Sequence, residues 1–141
     1  ELIEFKPKSH KTDIAQALKF LSGTQKKKAI VFMISDFMAE GYEQTLKIAS
    51  KKHDITGIRV YDIREETIPN LGMVSMLDAE TGETKLINTG SKSVCLNYEK
   101  YYQEKVKYFK EMFSKSGSGV VNTRVDESYV TKLLGYFKSR A

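Results

Sequence analysis

Cysteine is nearly absent from this sequence: Cys95 is the only one, and the chain has just two prolines and no tryptophan. A single thiol cannot form an internal disulfide, which excludes a disulfide-stabilised secreted scaffold and leads us to expect a reducing, cytoplasmic location. No histidine stands near Cys95 in sequence. We therefore expect its side chain to be a small packed group and not a catalytic nucleophile.

Long apolar runs and blocks of charge are also missing. The longest apolar run covers residues 29–34, far short of the roughly 20 residues that a membrane-spanning helix needs, so no membrane segment is expected in the chain. The net charge is +5, and the lysines are spread along the sequence with one compact run at residues 26–28. Nucleic-acid binders more often concentrate positive charge on one face, so no specific nucleic-acid binding is expected.

The common nucleotide-binding and hydrolase motifs do not occur. There is no Gly-x-x-x-x-Gly-Lys phosphate loop, no Gly-x-Gly-x-x-Gly and no Gly-x-Ser-x-Gly. The glycine-rich residues 116–119 join a predicted helix to a strand, whereas phosphate-binding loops lead from a strand into a helix. His10 and His53 have no partners at zinc-ligand spacing, so neither is expected to bind zinc.

The apolar periodicity that is present predicts alternating helices and strands. The run 29–34 predicts a strand buried on both faces. Two short strands joined by the turn 79–82 predict a β-hairpin, and Asp126 is the predicted cap of the last helix. Helices are predicted over residues 13–23, 39–51, 94–116 and from 126 onward, and strands over 29–34, 54–61, 73–78, 83–88 and 120–125.

This order of elements predicts an α/β fold with three parallel strands, flanking helices and an inserted β-hairpin. Open parallel sheets bind ligands beyond the carboxyl ends of their strands. The candidates there are Ser35, Asp36, Asp62 and the loop 10–13. Asp36 follows the apolar strand directly, and carboxylate and hydroxyl oxygens are the ligands that Mg²⁺ prefers. A cap on the following helix is an equally good interpretation of Asp36.

Two segments resemble a known family of domains. Ile34-Ser35-Asp36-Phe37 resembles the fourth-strand motif of von Willebrand factor A domains, whose aspartate belongs to a metal-ion-dependent adhesion site. Segment 11–18 is similar to the loop and helix that carry the threonine of that site, and Thr12 matches it. More closely, the whole chain resembles the carboxyl-terminal half of the bacterial domain of unknown function 58 proteins. The similar segments are 53–62, 64–66, Pro69, the hairpin and 126–130.

The resemblance implies a partial von Willebrand factor A (Rossmann-like) fold. Residues 1–141 are then the carboxyl-terminal portion of one domain whose first strands are absent, and strand 54–61 lies between the other two. The Asp-x-Ser-x-Ser motif of the family's first strand does not occur here, so Thr12 and Asp36 are at most two of five metal ligands. Phe37 also replaces the glycine that commonly follows the aspartate. Mg²⁺ is therefore implied for the full-length protein and not for this chain.

The function implied by the resemblance is a non-enzymatic protein–protein interaction module. Its partner would be a MoxR-type AAA+ ATPase, acting in the assembly or maturation of other proteins. The alternative is a Mg²⁺-dependent phosphohydrolase or phosphotransfer domain that uses Asp36, although such enzymes usually carry a second carboxylate where Met38 stands. Without the first strand, the strand 30–34 would have an unpaired edge, so self-association through this edge is also expected.

Overall fold

The computed structural model describes residues 12–77 and 82–140. Its helices and strands alternate, which is the order that the sequence predicts. The helices are α1 Ile14–Thr24, α2 Glu43–Ser50, α3 Lys92–Lys115 and α4 Tyr129–Arg140, and the strands are β1 Ile30–Ser35, β2 Asp54–Tyr61, β3 Met73–Leu77, β4 Thr84–Asn88 and β5 Gly119–Arg124. None of the helices in these two segments has the length and apolar character needed to cross a bilayer.

Three strands form one parallel sheet in the order β1-β2-β5. Ile30 of β1 is aligned with Asp54 of β2, and Gly57 of β2 is aligned with Val120 of β5. The predicted α/β fold class and the central position of β2 are both confirmed. β3 and β4 form a separate antiparallel hairpin, as predicted, while residues 78–81 of its predicted turn lie outside the described residues.

The core lies on the sheet face that α1, α2 and α3 cover. Its largest buried side chains are aromatic, and rings from the turn after β1 contact rings from α3. The rings of Phe37 and Phe109 are stacked with centroids 4.2 Å apart, and Phe113 packs edge-on against Phe37 at 5.2 Å. The buried apolar residues of this core are Ile14, Leu18, Phe37, Tyr42, Leu46, Ala49, Ile55, Phe109 and Phe113.

Helix α4 covers part of the opposite face of the sheet. The Tyr136 hydroxyl lies 2.9 Å from the Thr56 hydroxyl of β2, and the Phe137 ring packs edge-on against Phe32 of β1 at 5.9 Å. The Arg140 guanidinium also pairs with Asp54 at 2.9 Å. These contacts place α4 above β2, and Tyr136 also lies against Gly119 of β5, so most of β1 is uncovered on this face.

The prediction that the 29–34 strand is buried on both faces is wrong for this chain. Ile30 and Ile34 are each 70% exposed and Phe32 is 46% exposed, whereas Val31 and Met33 pack against the core. β1 is an edge strand among the described residues, and α4 reaches only Phe32. One face of β1 therefore remains apolar and exposed. The pattern of apolar residues in the sequence cannot distinguish such a strand from one that is buried on both faces.

Two predicted helix starts also need correction. α2 begins at Glu43 and not at 39, because Gly41 has a φ of 79° and its amide donates to the Tyr108 hydroxyl at 2.9 Å. Asp126 does not cap α4: both of its carboxylate oxygens accept from Arg124, at 2.9 and 3.0 Å. Ser128 takes the capping position, with its hydroxyl 3.5 Å from the Thr131 amide.

Gly57 allows the aromatic rings of α3 to lie directly on the sheet. A Cβ at this position would stand 2.6 Å from Phe113 Cε1 and 2.8 Å from Phe109 Cε2. Such distances are well below van der Waals contact, and both rings are held by the buried core. β2 therefore has a glycine at its centre because a side chain there would displace α3.

We predict that Gly57→Ala lowers the free energy of unfolding by about 1–3 kcal/mol, as is typical of overpacked cores. Gly135→Ala is the matched control, because a Cβ there meets nothing within 4 Å and removing a helical glycine stabilises by roughly 0.5–1 kcal/mol. Urea denaturation of both variants measures the two changes. Equal effects at the two glycines would contradict the packing explanation.

Candidate functional site

The turn after β1 holds the carboxylate of Asp36 in a defined position. Asp36 Oδ1 accepts a hydrogen bond from the Ser35 hydroxyl and one from the Met38 amide, both at 3.2 Å. The Phe37 amide donates to Ser35 Oγ at 3.1 Å. Asp36 therefore closes a local turn. It does not cap α2, which begins at Glu43, so the capping alternative is excluded.

Phe37 anchors this turn to the core. Its φ of 57° is the left-handed conformation that glycine adopts most readily, and for an aromatic residue this conformation costs roughly 1–2 kcal/mol. The ring is only 1% exposed and stacks on Phe109. Burial of the ring offsets the strain and fixes the preceding carboxylate at the sheet edge. The sequence marks Phe37 only as a replacement for glycine, so its anchoring role was not predicted.

A second anchor holds the loop between Phe37 and α2. The Tyr108 hydroxyl accepts a hydrogen bond from the Gly41 amide at 2.9 Å, and the Tyr108 ring packs edge-on against Tyr42 at 5.4 Å. Burial, together with the nearby carboxylate of Glu43, raises the pKa of Tyr108 to about 12. The hydrogen bond from the Gly41 amide ties this loop to α3.

Thr12 and Ser35 lie on the same groove, between α1 and β1. This groove has a volume of about 360 Å³, and its polar end is formed by Thr12, Asp13 and Ser35. Asp13 Oδ1 accepts from the Gln16 amide at 2.7 Å and so caps α1. The carboxylate of Asp36 is linked to this end of the groove by its hydrogen bond to Ser35. The structure therefore brings Thr12 to the strand end that carries Asp36.

Asp62 stands at the end of β2 and is engaged in a local turn. Its Oδ1 accepts from the Arg64 amide at 2.9 Å and caps the short 3-10 helix Ile63–Glu65. The Arg64 guanidinium is 3.9 Å from the same oxygen. Both its hydrogen bond and its ion pair are thus local, which makes capping its evident structural role.

The oxygen groups at the carboxyl end of β1 are of the type that Mg²⁺ prefers, but they are too few for a complete metal site. Across residues 12–77 and 82–140 there is no cluster of three or more His, Cys, Asp or Glu side chains that would hold a metal ion. His10 and Lys11 of the predicted loop lie outside those residues. Mg²⁺ binds in proteins with near-octahedral oxygen coordination, which Thr12, Ser35 and Asp36 do not supply alone.

The outer face of the hairpin carries three exposed apolar side chains among polar ones. Leu86 of β4 is aligned with Ser75 of β3, so Met73 and Leu77 are its diagonal neighbours on the same face. Met73 is 59% exposed, Leu77 68% and Leu86 69%. α3 runs back along the sheet and ends before β5, so its beginning, and the hairpin that precedes it, lie at the carboxyl edge.

The base of the hairpin is fixed to the rest of the fold. The buried Thr89 donates its hydroxyl to the Gly72 carbonyl at 2.8 Å and accepts from the Leu71 amide at 2.9 Å. Cys95 Sγ lies 3.3 Å from the Thr89 carbonyl, and the Tyr98 hydroxyl donates to the Glu65 carbonyl at 2.9 Å. Cys95 is half-buried in the first turn of α3, as expected of a packed thiol.

Comparison with known protein families identifies the family of this chain. A family model described as "Protein of unknown function DUF58" matches residues 1–108, about three quarters of the chain. The chain belongs to the DUF58 family. The match covers β1, β2, the hairpin and most of α3, and ends before β5. Residues 126–130, where the sequence also resembles the family, therefore lie outside the matched region.

Several mycobacterial proteins are similar to this DUF58 chain. An uncharacterised protein of Mycobacterium avium is 23% identical over 129 residues, covering 91% of this chain and 76% of that protein. An uncharacterised protein of Mycobacterium bovis is 29% identical over 77 residues, covering 54% of this chain and 24% of the relative. The crystal structure of a conserved hypothetical protein BatB from Bacteroides thetaiotaomicron is 20% identical, with a TM-score of 0.47, and the alignment covers 92% of this chain and 58% of BatB.

We predict that Phe37→Ala lowers the free energy of unfolding by about 3–5 kcal/mol, the usual effect of removing a buried phenylalanine ring. Phe37→Gly removes the same ring but also relieves the left-handed strain, so it should be more stable than Phe37→Ala by roughly 1–2 kcal/mol. Chemical denaturation measures both variants. A loss well below 3 kcal/mol in Phe37→Ala would contradict the anchoring explanation, and equal stability of the two variants would contradict the strain.

We predict that this chain binds Mg²⁺ with a dissociation constant weaker than about 1 mM, the weak limit of oxygen-ligand sites. The reason is that three side-chain oxygen donors do not replace the hydration shell of this cation. Isothermal titration calorimetry in low-salt buffer measures the affinity, and Asp36→Ala is the control for any residual heat. A tighter constant that Asp36→Ala abolishes would contradict the prediction.

Proposed function

We propose that this DUF58 chain is a non-enzymatic protein–protein interaction module that belongs to a von Willebrand factor A-like domain. The observation that carries the proposal is the exposed apolar cluster formed by Met73, Leu77 and Leu86 on the outer face of the hairpin. Clustered large apolar side chains at a protein surface commonly mark sites where another protein binds.

The rigidity of the hairpin base supports this proposal. Thr89 bonds both to the Leu71 amide and to the Gly72 carbonyl, and Tyr98 joins α3 to the turn at Glu65. A surface that is ordered before binding loses less conformational entropy on association than a flexible loop does. The apolar cluster is thus displayed in a geometry suited to recognition.

A cleft under the opposite face of the hairpin adds a second apolar element, because Val74 and Met76, which line it, alternate with Met73 and Leu77 along β3. It has a volume of about 300 Å³ and lies between the hairpin, the loop after β2 and α3. An apolar side chain of a partner that enters such a cleft becomes fully desolvated, which is the usual environment of an energetically dominant contact. The residues that line it include Ile68, Pro69, Leu71, Val74, Met76 and Tyr98.

Arg64 lines the cleft and pairs with Asp62 at the carboxyl end of β2, so charged groups border this surface. Asp36 and Asp62 are both solvent-accessible and fixed by local hydrogen bonds. Polar rims around an apolar centre are typical of protein interfaces. In the full-length protein, Thr12 and Asp36 would be two of the ligands of a bound Mg²⁺, but binding through the hairpin does not depend on a metal.

The partner that we propose is a MoxR-type AAA+ ATPase, with a role in the assembly or maturation of other proteins. The support is the resemblance of segments 34–37 and 11–18 to von Willebrand factor A domains, together with the membership of DUF58. The competing function is phosphoryl transfer or phosphate hydrolysis at Asp36. Met38 stands where such enzymes usually carry a second carboxylate, which disfavours this function.

We expect the double variant Leu77→Lys/Leu86→Lys to bind the MoxR-type ATPase of the same organism at least about 10-fold more weakly. The reason is that each apolar anchor residue at the centre of an interface contributes more than ~1 kcal/mol to the free energy of binding. Ile48→Lys is the matched control, since Ile48 is 65% exposed on α2. Biolayer interferometry with immobilised ATPase measures all three proteins.

Two outcomes would overturn the proposal. Equal affinity of the hairpin variant and the wild-type chain would show that this face is not the contact surface. Hydrolysis of an aryl phosphate with Mg²⁺ by the wild-type chain, lost in Asp36→Ala, would identify an enzyme instead.

A further inference from the structure

The amino ends of the parallel strands meet at the edge of the sheet opposite Asp36. Asp54 of β2 is aligned with Ile30 of β1, and the Asp54 amide donates to the Ala29 carbonyl at 2.9 Å. α2 ends just before β2, and α3 ends just before β5. The last turn of α4 reaches the same edge, because Arg140 forms its ion pair with Asp54. Four connected elements therefore bring side chains to one place.

A cleft at this amino edge is lined mainly by polar and cationic side chains, and it has a volume of about 270 Å³. The cations come from the loop before β1, from the residues after α2 and from the end of α4. They are Lys28, Lys51, Lys52 and Arg140. Asp54 is the carboxylate in this lining, and it is 2.9 Å from Arg140. Four cationic side chains and one carboxylate give the lining a net charge of +3 when His53 is neutral.

Most of this positive charge is not neutralised within the fold. No carboxylate of residues 12–77 and 82–140 forms an ion pair with Lys28 or Lys51. The end of α2 is closed by backbone bonds, since the Ala49 carbonyl accepts from the amides of Lys52 and His53 at 3.1 and 2.9 Å. The ammonium groups of Lys28 and Lys51 can therefore be engaged by a ligand.

A buried imidazole lines the same cleft. His53 is 2% exposed, and neither of its ring nitrogens has a hydrogen-bond partner among the residues that the structure describes. Buried polar groups of native proteins nearly always have a partner, and an unpaired one calls for a bound water or ion. In a basic cleft that partner is an anion, which would accept a hydrogen bond from the ring N–H. Ser50 and Ser118 add hydroxyl donors to the lining.

We propose that this cleft binds a phosphate group, either as free phosphate or as the monoester of a small metabolite. A phosphate monoester carries a charge of about −1.5 to −2 at neutral pH, which matches the excess positive charge better than a single carboxylate does. Lysine binds phosphate as a point charge. The volume of about 270 Å³ lies below the roughly 300–1,000 Å³ of sites that enclose drug-sized ligands, so the cleft encloses the phosphate group and not a whole nucleotide.

NMR titration of the isotope-labelled chain with inorganic phosphate tests the proposal, with sodium chloride keeping the ionic strength constant so that screening does not change. The amide signals of residues 50–54 and 117–118 and the ring signals of His53 should shift and reach saturation. The double variant Lys28→Gln/Lys51→Gln should bind at least about 10-fold more weakly, because charge-assisted hydrogen bonds are roughly twice as strong as neutral ones. Lys52 is retained because its ammonium also donates to the Gln25 carbonyl, at 2.7 Å.

The matched control is Lys100→Gln/Lys107→Gln, which removes the same charge from the surface of α3, where both lysines are 77% exposed. It should bind phosphate as the wild-type chain does. Glycerol phosphate, titrated in parallel, distinguishes the two sources: tighter binding than that of inorganic phosphate assigns the cleft to a monoester, and weaker binding assigns it to the free ion.

Two results would overturn the proposal. One is equal affinity of the two double variants for phosphate, because the lysines would then serve only to stabilise the carboxyl ends of the helices. The other is a wild-type titration in which the shifts do not saturate, or in which they are spread over the chain instead of lying at residues 50–54 and 117–118.

Discussion

The packing of Phe37 on Phe109 and Phe113 is the interaction on which the rest of the structure depends. It joins the turn after β1 to α3, and α3 reaches the sheet because Gly57 has no side chain. The same contact offsets the left-handed strain at Phe37. The same contact therefore determines how α3 packs on the sheet and how the Asp36 carboxylate is oriented.

The surfaces to which we assign the proposed function are held in place by this core. The carboxyl edge carries Asp36 and Asp62 in closed local turns, and the hairpin displays Met73, Leu77 and Leu86 from a base fixed by hydrogen bonds. Among the described residues, the outer edge of β1 is apolar on both faces. These features suit recognition of other polypeptides, because ordered apolar surface with a polar rim favours association.

Much of this arrangement follows from the sequence. Alternating periodicity predicts the parallel sheet, the hairpin and β2 over residues 54–61, and it locates Asp36 at a strand end. Periodicity alone could not predict the exposed face of β1, because an apolar run has the same appearance whether one or both faces are covered. Nor could the left-handed Phe37 or the bond between Arg124 and Asp126, since both depend on contacts that local propensity does not encode.

A double-mutant cycle between Phe37→Leu and Phe109→Leu tests the central claim most directly. Stacked aromatic pairs contribute about 0.5–1.5 kcal/mol beyond the area they bury, and we expect a coupling of that size in the free energy of unfolding. The control cycle pairs Phe37→Leu with Phe137→Leu, on the opposite face of the sheet, where the effects should add within about 0.5 kcal/mol. Additive effects in the first cycle would contradict the account, because the turn and α3 would then be stabilised independently.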